Sequence, residues 1–377
     1  MTRREWLHAT GTPAVALALG ACAWRRPRVA DGLHLRPYSR LPFHPPRISE
    51  DLIVRTVTGL RPFRPSGFVV RAENTATRRL IHNYGHGGGG VTLSWGCAHL
   101  AARQAAGVAD RRAAVLGCGV IGLSTARVLQ DRGWTVTIYA RDLPPDTTSN
   151  VAGALWSPTS VFDAKALTPG FEAQHAEAAR LSHRAFQTLV GAGYGVRWIE
   201  QYYLDDRETE MPSYVRSLPD LYPGARGLLP REHPFPVAHV RRVITMMIEP
   251  NIYLRRLLAD FRQAGGSVVV REFRHISEID ALAQPVIFNC TGLGAAILVR
   301  DGELIPIKGQ TSFVPPDAVV DFATIGGGPG SLYMFPRSDG ILLGGTFERG
   351  VATLNADPKQ TERIVRSHQA LFDAMRA

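Results

Sequence analysis

Apolar residues along this chain recur with two periods. Residues 114–116 form a short apolar run, residues 123–131 carry helical spacing, and residues 135–139 read as a second β run. Residues 92–106 are Ala-rich and read as a helix, as do 171–191, where Phe, Ala and Leu recur at helical intervals. Residues 251–264 are amphipathic, with Leu254, Leu257, Leu258 and Phe261 on one side; Gly265 and Gly266 then lead into a β run at 268–270. An apolar strand holds Cys290, and residues 360–377 read as a terminal helix. Near the start, residues 12–19 are mildly apolar but too short to span a bilayer. Residues 23–47, rich in Pro and Arg, have no apolar period and read as an extended tether.

The run at 114–116 opens into Gly117, Gly119 and Gly122 and then into the helix at 123–131, giving strand, turn, helix and strand in succession. Dinucleotide binding needs this context. Gly117 permits a tight turn, Gly119 lets backbone approach a pyrophosphate, and Gly122 lets helix and strand pack closely. The helix N-terminus then offers N–H groups and a positive dipole to the phosphates. An acid, Asp142, follows roughly 20 residues on, where ribose hydroxyls are bound. This fingerprint usually opens a chain; here it lies roughly a hundred residues in.

The N-terminus reads as an address. Arg3 and Arg4 precede the apolar stretch, as in the twin-arginine route that exports folded proteins. Leu19, Gly20, Ala21 and Cys22 resemble a lipoprotein box, so residues 1–22 form an export signal and lipidation of Cys22 would anchor the mature protein to a membrane. Without that signal the chain would be cytoplasmic. The 377 residues, 45% hydrophobic and 20% charged, suit a globular enzyme. The net charge of +10 is scattered, with no basic stripe interleaved with aromatics, which argues against nucleic acid. Of four cysteines, Cys22 is claimed by lipid, Cys118 by the glycine turn and Cys290 by a strand; with only Cys97 left, no disulfide framework is implied.

A second glycine cluster, Gly85 and Gly87 to Gly90, leads into Val91, Thr92 and the Ala-rich helix. Backbone without side chains can lie against a flat ligand, and a helix N-terminus behind it suits a group gaining negative charge. His82 and His86 are four apart, but the glycines argue against a helix presenting both to a metal. Just upstream, Arg61 sits between Leu60 and Pro62, so its guanidinium can be pre-aimed at a carboxylate, which it matches bidentately.

These blocks together resemble the D-amino-acid oxidase family. Residues 59–65 (Gly59, Leu60, Arg61, Pro62, Phe63, Arg64, Pro65) with 81–88 resemble its C-terminal signature. Residues 115–124, 140–144 and 147–156 resemble its N-terminal one. Residues 288–295 resemble its second flavin-domain strand, 305–310 the start of its substrate sheet, and 332–336 with 344–347 the later strands. The order is unusual, since the block that normally closes the chain precedes the one that opens it. A circular permutation is the expectation, its new ends between Ala377 and about Arg47, tolerated where old termini are close in space.

The resemblance implies FAD and an α/β fold, with a doubly wound Rossmann-like domain interleaved with an antiparallel substrate sheet. The implied divisions are 48–106 (the family's C-terminal segment), 107–160 (FAD fingerprint unit), 161–285 (mixed), 286–298 (FAD-domain strand) and 299–377 (substrate sheet and terminal helix). Gly117, Gly119, Val120, Ile121 and Gly122 would hold pyrophosphate, and Asp142, with Arg141 beside it, ribose. Thr147, Thr148 and Ser149 would donate toward phosphate or the flavin; Gly153, Ala154 and Leu155 would run along its N5 edge. Gly87, Gly88, Gly89, Gly90, Val91 and Thr92 would supply donors on its other side. Arg61 would clamp the substrate carboxylate, Tyr333 would add a hydroxyl, and the Gly88 carbonyl would accept from the amine. The implied reaction is hydride transfer from Cα of a D-amino acid to flavin N5, giving an imine, then keto acid and ammonia, while oxygen becomes hydrogen peroxide.

Two departures stand out. Pro329 and Gly330 occupy the place of a second active-site tyrosine, and residues 326–330 suggest a flexible, open entrance, with Tyr202 or Tyr203 able to swing in. Lys308 stands where many relatives carry Arg. Other readings are a dehydrogenase passing electrons to a membrane carrier and a non-catalytic lipoprotein of this fold. The sequence leaves the oligomeric state open.

Overall fold

The computed structural model describes residues 43–75 and 77–375. The export signal, Cys22 and the tether up to residue 42 lie outside the described residues. The chain begins with β1 (Arg55–Phe63), β2 (Val69–Asn74) and β3 (Arg79–Tyr84), and a 3-10 turn (Gly87–Gly89) then feeds α1 (Gly90–Arg103). The fingerprint unit follows as β4 (Arg112–Leu116), α2 (Val120–Gln130) and β5 (Thr135–Ala140). After a 3-10 turn at Thr148–Val151 come α3 (Pro169–Leu189), β6 (Val196–Asp205), α4 (Ser213–Ser217), β7 (Arg226–Leu228) and β8 (His239–Ile248). Next are α5 (Pro250–Gln263), β9 (Ser267–Val270), β10 (Val286–Asn289) and α6 (Ala295–Leu298). The chain closes with β11 (Ile305–Val314), β12 (Phe322–Gly326), β13 (Tyr333–Arg337), β14 (Gly340–Gly344), β15 (Glu348–Arg349) and α7 (Pro358–Asp373).

Two sheets organise these elements. The six-stranded sheet has the order β2-β3-β10-β4-β5-β9, parallel throughout except for β2 at its edge. Its inner strands are apolar on both faces, as a parallel sheet covered on both sides requires. Ile81, Val115 and Phe288 pack toward α1 and α2; Leu80, Leu116 and Ile287 pack on Phe273, Ile279 and Leu298. α1 and α2 therefore lie on one face, while the 3-10 turn at Ile276–Ala281 and the short α6 cover the other. α3 starts cleanly because Thr168 accepts a hydrogen bond from the Phe171 N–H and Pro169 occupies the first turn.

The nine-stranded sheet runs β1-β11-β14-β13-β12-β6-β8-β7, with β15 also on β11. Paired residues share a face and residues two apart along a strand share it too. The register therefore puts Gly59 and Arg61 of β1, Gly309 and Thr311 of β11, Gly344 of β14, Tyr333 and Phe335 of β13, Ile325 of β12 and Tyr203 of β6 on one face. α7 packs on the other face, where Phe372 meets Phe322 and Gln310 bonds Thr361. Residues 48–106 contribute β1 to this sheet and β2 and β3 to the smaller one, so the segment ties the two together.

Two expectations fail here. The glycine run after β12 is not an open, flexible entrance: Arg363 of α7 donates to the carbonyls of Pro329 (3.0 Å) and Gly345 (2.7 Å) and holds the turn against the helix. Nor is either tyrosine of β6 free to swing. Tyr202 is fully buried against Phe235 and Phe322, and Tyr203 is buried with its hydroxyl on that of Tyr214.

Candidate functional site

The nucleotide end is built by the fingerprint turn. Gly117 has φ +109°, and a Cβ there would stand 2.5 Å from the Cys290 carbonyl oxygen, so only glycine fits. α2 starts at once after Gly119, which leaves the N–H groups of Val120, Ile121 and Gly122 in its first turn. Ser149 is brought to this point: its Oγ accepts from the Val120 N–H at 3.0 Å. Arg141 and Asp142 form an ion pair of 2.7 Å just past β5, both largely exposed, with Arg141 also reaching Glu272. Thr147 is turned inward and donates to Asn150 at 2.8 Å, while Thr148 is exposed. A glycine turn at a helix start and an acid at the next strand's end suit a dinucleotide phosphate and ribose.

The second glycine loop meets the stretch after residue 153. Gly88 donates its N–H to the Ser160 carbonyl at 2.8 Å, a Cβ on Gly89 would strike Val161, and the Ser157 N–H donates to Thr92 Oγ1 at 3.1 Å. Gly87, Gly90 and Val91 belong to the same turn and helix start. A bridge between Phe63 and His86 joins the end of β1 to this loop, which brings the strand of Arg61 beside Gly88. Gly153 lies on Phe335 and Tyr333, and Leu155 bridges Met247, so Gly153, Ala154 and Leu155 run over the substrate-sheet face.

On that face Arg61 lies across Gly309 of the neighbouring strand. A Cβ at Gly309 would stand 2.5 Å from both Nη atoms. Nη1 of Arg61 is buried without a hydrogen-bond partner, and the aromatic ring of Phe347 sits 5.7 Å from the guanidinium carbon. A buried donor with no acceptor is costly, so the arrangement fits an anion that is supplied from outside. Tyr333 similarly lies across Gly344, its hydroxyl oxygen 2.5 Å from where a Cβ would be, with its ring stacked on Phe335 at 5.0 Å. The two side chains lean toward each other over two bare glycines.

Sequence reasoning missed Gly309 and Gly344, whose role exists only in the sheet register. It also missed Arg337, which is 4% exposed, is held bidentately by Asp339 (2.8 Å twice) and donates Nη1 to the Ala152 carbonyl at 3.0 Å. Asp339 also accepts from Arg55 (2.8 Å) and from Asn251 (3.1 Å), which in turn accepts from Asn150 (3.1 Å). Burial alone would raise the Asp339 carboxyl, but Arg337 and Arg55 outweigh it and hold it below the usual range. The segment from Thr147 to Leu155 is thus pinned from the substrate sheet at Asn150 and Ala152.

Few other groups here titrate. Burial pushes His86 down to about 3, so it is neutral, and it stacks on Phe68 at 5.1 Å. Burial pushes the thiols of Cys118 and Cys290 up to about 12, which keeps them protonated. Among the described residues no cluster of three or more His, Cys, Asp or Glu side chains could hold a metal, and no helix is long and apolar enough to cross a membrane. A polar depression of about 730 Å3 beside β2 and β3 is lined by Arg71, Glu73, His82, Tyr84 and Asp301, none of them among the predicted site residues.

A glycine turn at a helix start on a parallel sheet, with a buried guanidinium on a mainly antiparallel one, fits a two-sheet nucleotide-binding enzyme. A family model described as FAD dependent oxidoreductase matches residues 26–104 and 112–377. The D-amino-acid oxidase of Rubrobacter xylanophilus is 34% identical over 280 residues, 70% of this chain and 78% of that protein. That of Streptomyces coelicolor is 33% identical over 266 residues, again 70% and 78%. Glycine oxidase from Geobacillus kaustophilus shares the fold with a TM-score of 0.52 at 17% identity, covering 70% of this chain and 79% of that one. The chain belongs to the FAD-dependent oxidoreductase family and is an enzyme that uses FAD.

Gly309→Ala tests the floor beneath the clamp. The new methyl displaces a flexible guanidinium rather than backbone, so flavin content and melting temperature are expected to hold. KM for a carboxylate substrate is expected to rise about tenfold or more, the loss of one charge-assisted contact; steady-state kinetics on the yellow protein checks this.

Proposed function

We propose that this enzyme oxidatively deaminates D-amino acids, and the observation that carries the proposal is the buried, unpartnered Nη1 of Arg61. Arg61 takes the substrate carboxylate in a bidentate grip, and Tyr333 adds a hydroxyl to the same group. The Gly88 carbonyl accepts from the amine, which fixes one face of Cα toward Gly153, Ala154 and Leu155. FAD, held by the glycine turn at 117–122 and the two backbone stretches at 87–92 and 147–155, supplies the two-electron acceptor when bound. Orientation does much of the catalysis. The amine reacts uncharged, and no side-chain base is required: His86 is buried and stacked on Phe68. The imine is hydrolysed to a keto acid and ammonia, with oxygen as the final acceptor. The identity to two D-amino-acid oxidases supports this reading.

We also infer that the chain is circularly permuted. Support comes from α7, whose Arg366 pairs with Glu50 at 2.6 Å, so the last helix lies beside the start of the 48–106 segment that would follow it in the family's usual order. The eight residues between α1 and β4 would be the newly made joint. Export and lipid anchoring at Cys22, supported by Arg3 and Arg4, complete the proposal; an anchored enzyme would also suit a membrane electron acceptor in place of oxygen.

Three outcomes are expected. Arg61→Ala retains flavin but raises KM for D-alanine at least about a hundredfold, as loss of a charge-assisted bidentate pair implies; wild-type protein that forms no peroxide from any D-amino acid while reducing a dye would favour the membrane acceptor. A gene reopened within 104–111, with residue 377 joined to residue 48, is expected to give a folded yellow protein. Cys22→Ser is expected to release the protein from the membrane fraction of its producing cells.

A further inference from the structure

Arg61 is not the sole orphan on the substrate-facing side of the large sheet. Thr311 is 5% exposed, and its Oγ1 is buried with no hydrogen-bond partner. The register fixes where that hydroxyl stands. Thr311 pairs with Val57 on one side and Gly344 on the other, and Gly344 pairs on its far side with Tyr333. Tyr333 lies across Gly344 with its oxygen outermost, so the phenol reaches over β14 toward β11 and Thr311. The Arg61 guanidinium lies across Gly309, two residues before Thr311 on the same face. Thr311 therefore occupies the corner between the tips of the two residues that grip the carboxylate.

The fold itself has no use for a hydroxyl at this point. A central strand accepts Val equally well, and Val leaves no buried donor unsatisfied. A carboxylate offers about four acceptor positions, of which a bidentate guanidinium takes two and a phenol one. We propose that Thr311 is a substrate-contacting residue whose hydroxyl is the remaining donor to the substrate carboxylate. The inference rests on the clamp role of Arg61. It makes the seat a four-donor α-carboxylate site, which discriminates against amines that lack the acid group. Thr324 supplies an internal control: its Oγ1 is likewise buried and unpaired, but its register with Met334 puts it on the face covered by α7.

The test uses the FAD-loaded enzyme and pyruvate, a carboxylate that cannot be oxidised at this site, with binding read from the perturbed flavin absorption spectrum. Thr311→Val is expected to raise the pyruvate Kd and the D-alanine KM together by about five- to tenfold, the loss of one hydrogen bond. kcat and melting temperature are expected to stay near wild type. Thr311→Ser, which keeps the hydroxyl, and Thr324→Val are expected to stay within about twofold. Thr311→Val binding pyruvate as tightly as wild type, while Arg61→Ala loses it, overturns the proposal and leaves the clamp standing. Pyruvate binding that survives Arg61→Ala overturns both. Equal losses in Thr311→Val and Thr324→Val assign the effect to packing and also overturn it.

Discussion

A charged fork laid across a strand residue that has no side chain is the contact on which this site is built. Arg61 can lie flat on the sheet because position 309 is glycine; any larger residue would lift it. Burying a donor without an acceptor costs at least about 1–3 kcal/mol, more when it is charged, and an acceptor arriving at the site returns that energy. The folded protein therefore holds an unmet hydrogen-bonding demand at one atom. Tyr333 over Gly344 repeats the device one strand further on, so two long polar side chains converge with nothing beneath them to compete.

The same sheet also controls the segment that faces it. Asp339 gathers Arg337, Arg55 and Asn251, and through them fixes Ala152 and Asn150. The ring of Phe313 carries the guanidinium groups of both Arg55 and Arg337, 3.9 Å and 5.3 Å from its centre, which adds a cation–π contact to each. Meanwhile Ser149 holds the other end of that segment to the start of α2. A single stretch of about nine residues is thus tethered at one end to the phosphate turn and at the other to the floor of the substrate sheet. Hydrogen bonds thus join this segment to both sheets.

Much of this was legible in the sequence. The turn at Gly117 is written in glycine spacing between apolar runs, because close backbone approach leaves no other residue choice. The helices α1, α2, α3, α5 and α7 follow their apolar periods to within a few residues. Arg61 is visible through the proline beside it. What could not be read depends on partners distant in the chain. Gly309 and Gly344 look like ordinary strand interruptions until the register sets Arg61 and Tyr333 upon them. Arg337 and Asp339 look like turn residues. The glycine run at 326–330 reads as mobile, yet the carbonyl of Pro329 is held by an arginine 34 positions later on α7. Tyr202 and Tyr203 read as able to swing in because the rings and hydroxyls that bury them lie on other elements.

The placement of residues 48–106 bears on how the molecule is made. Thr56 of β1 and Ser312 of β11 share a hydrogen bond of 3.0 Å across 256 positions, and β3 needs β10 beside it. A ribosome therefore delivers strands of both sheets long before it delivers their partners. Closing such long loops is slow, and an unpaired apolar strand waiting for its neighbour is open to wrong pairings. Neither sheet can be completed until β10 and β11 have been made, so the early strands pair late by construction.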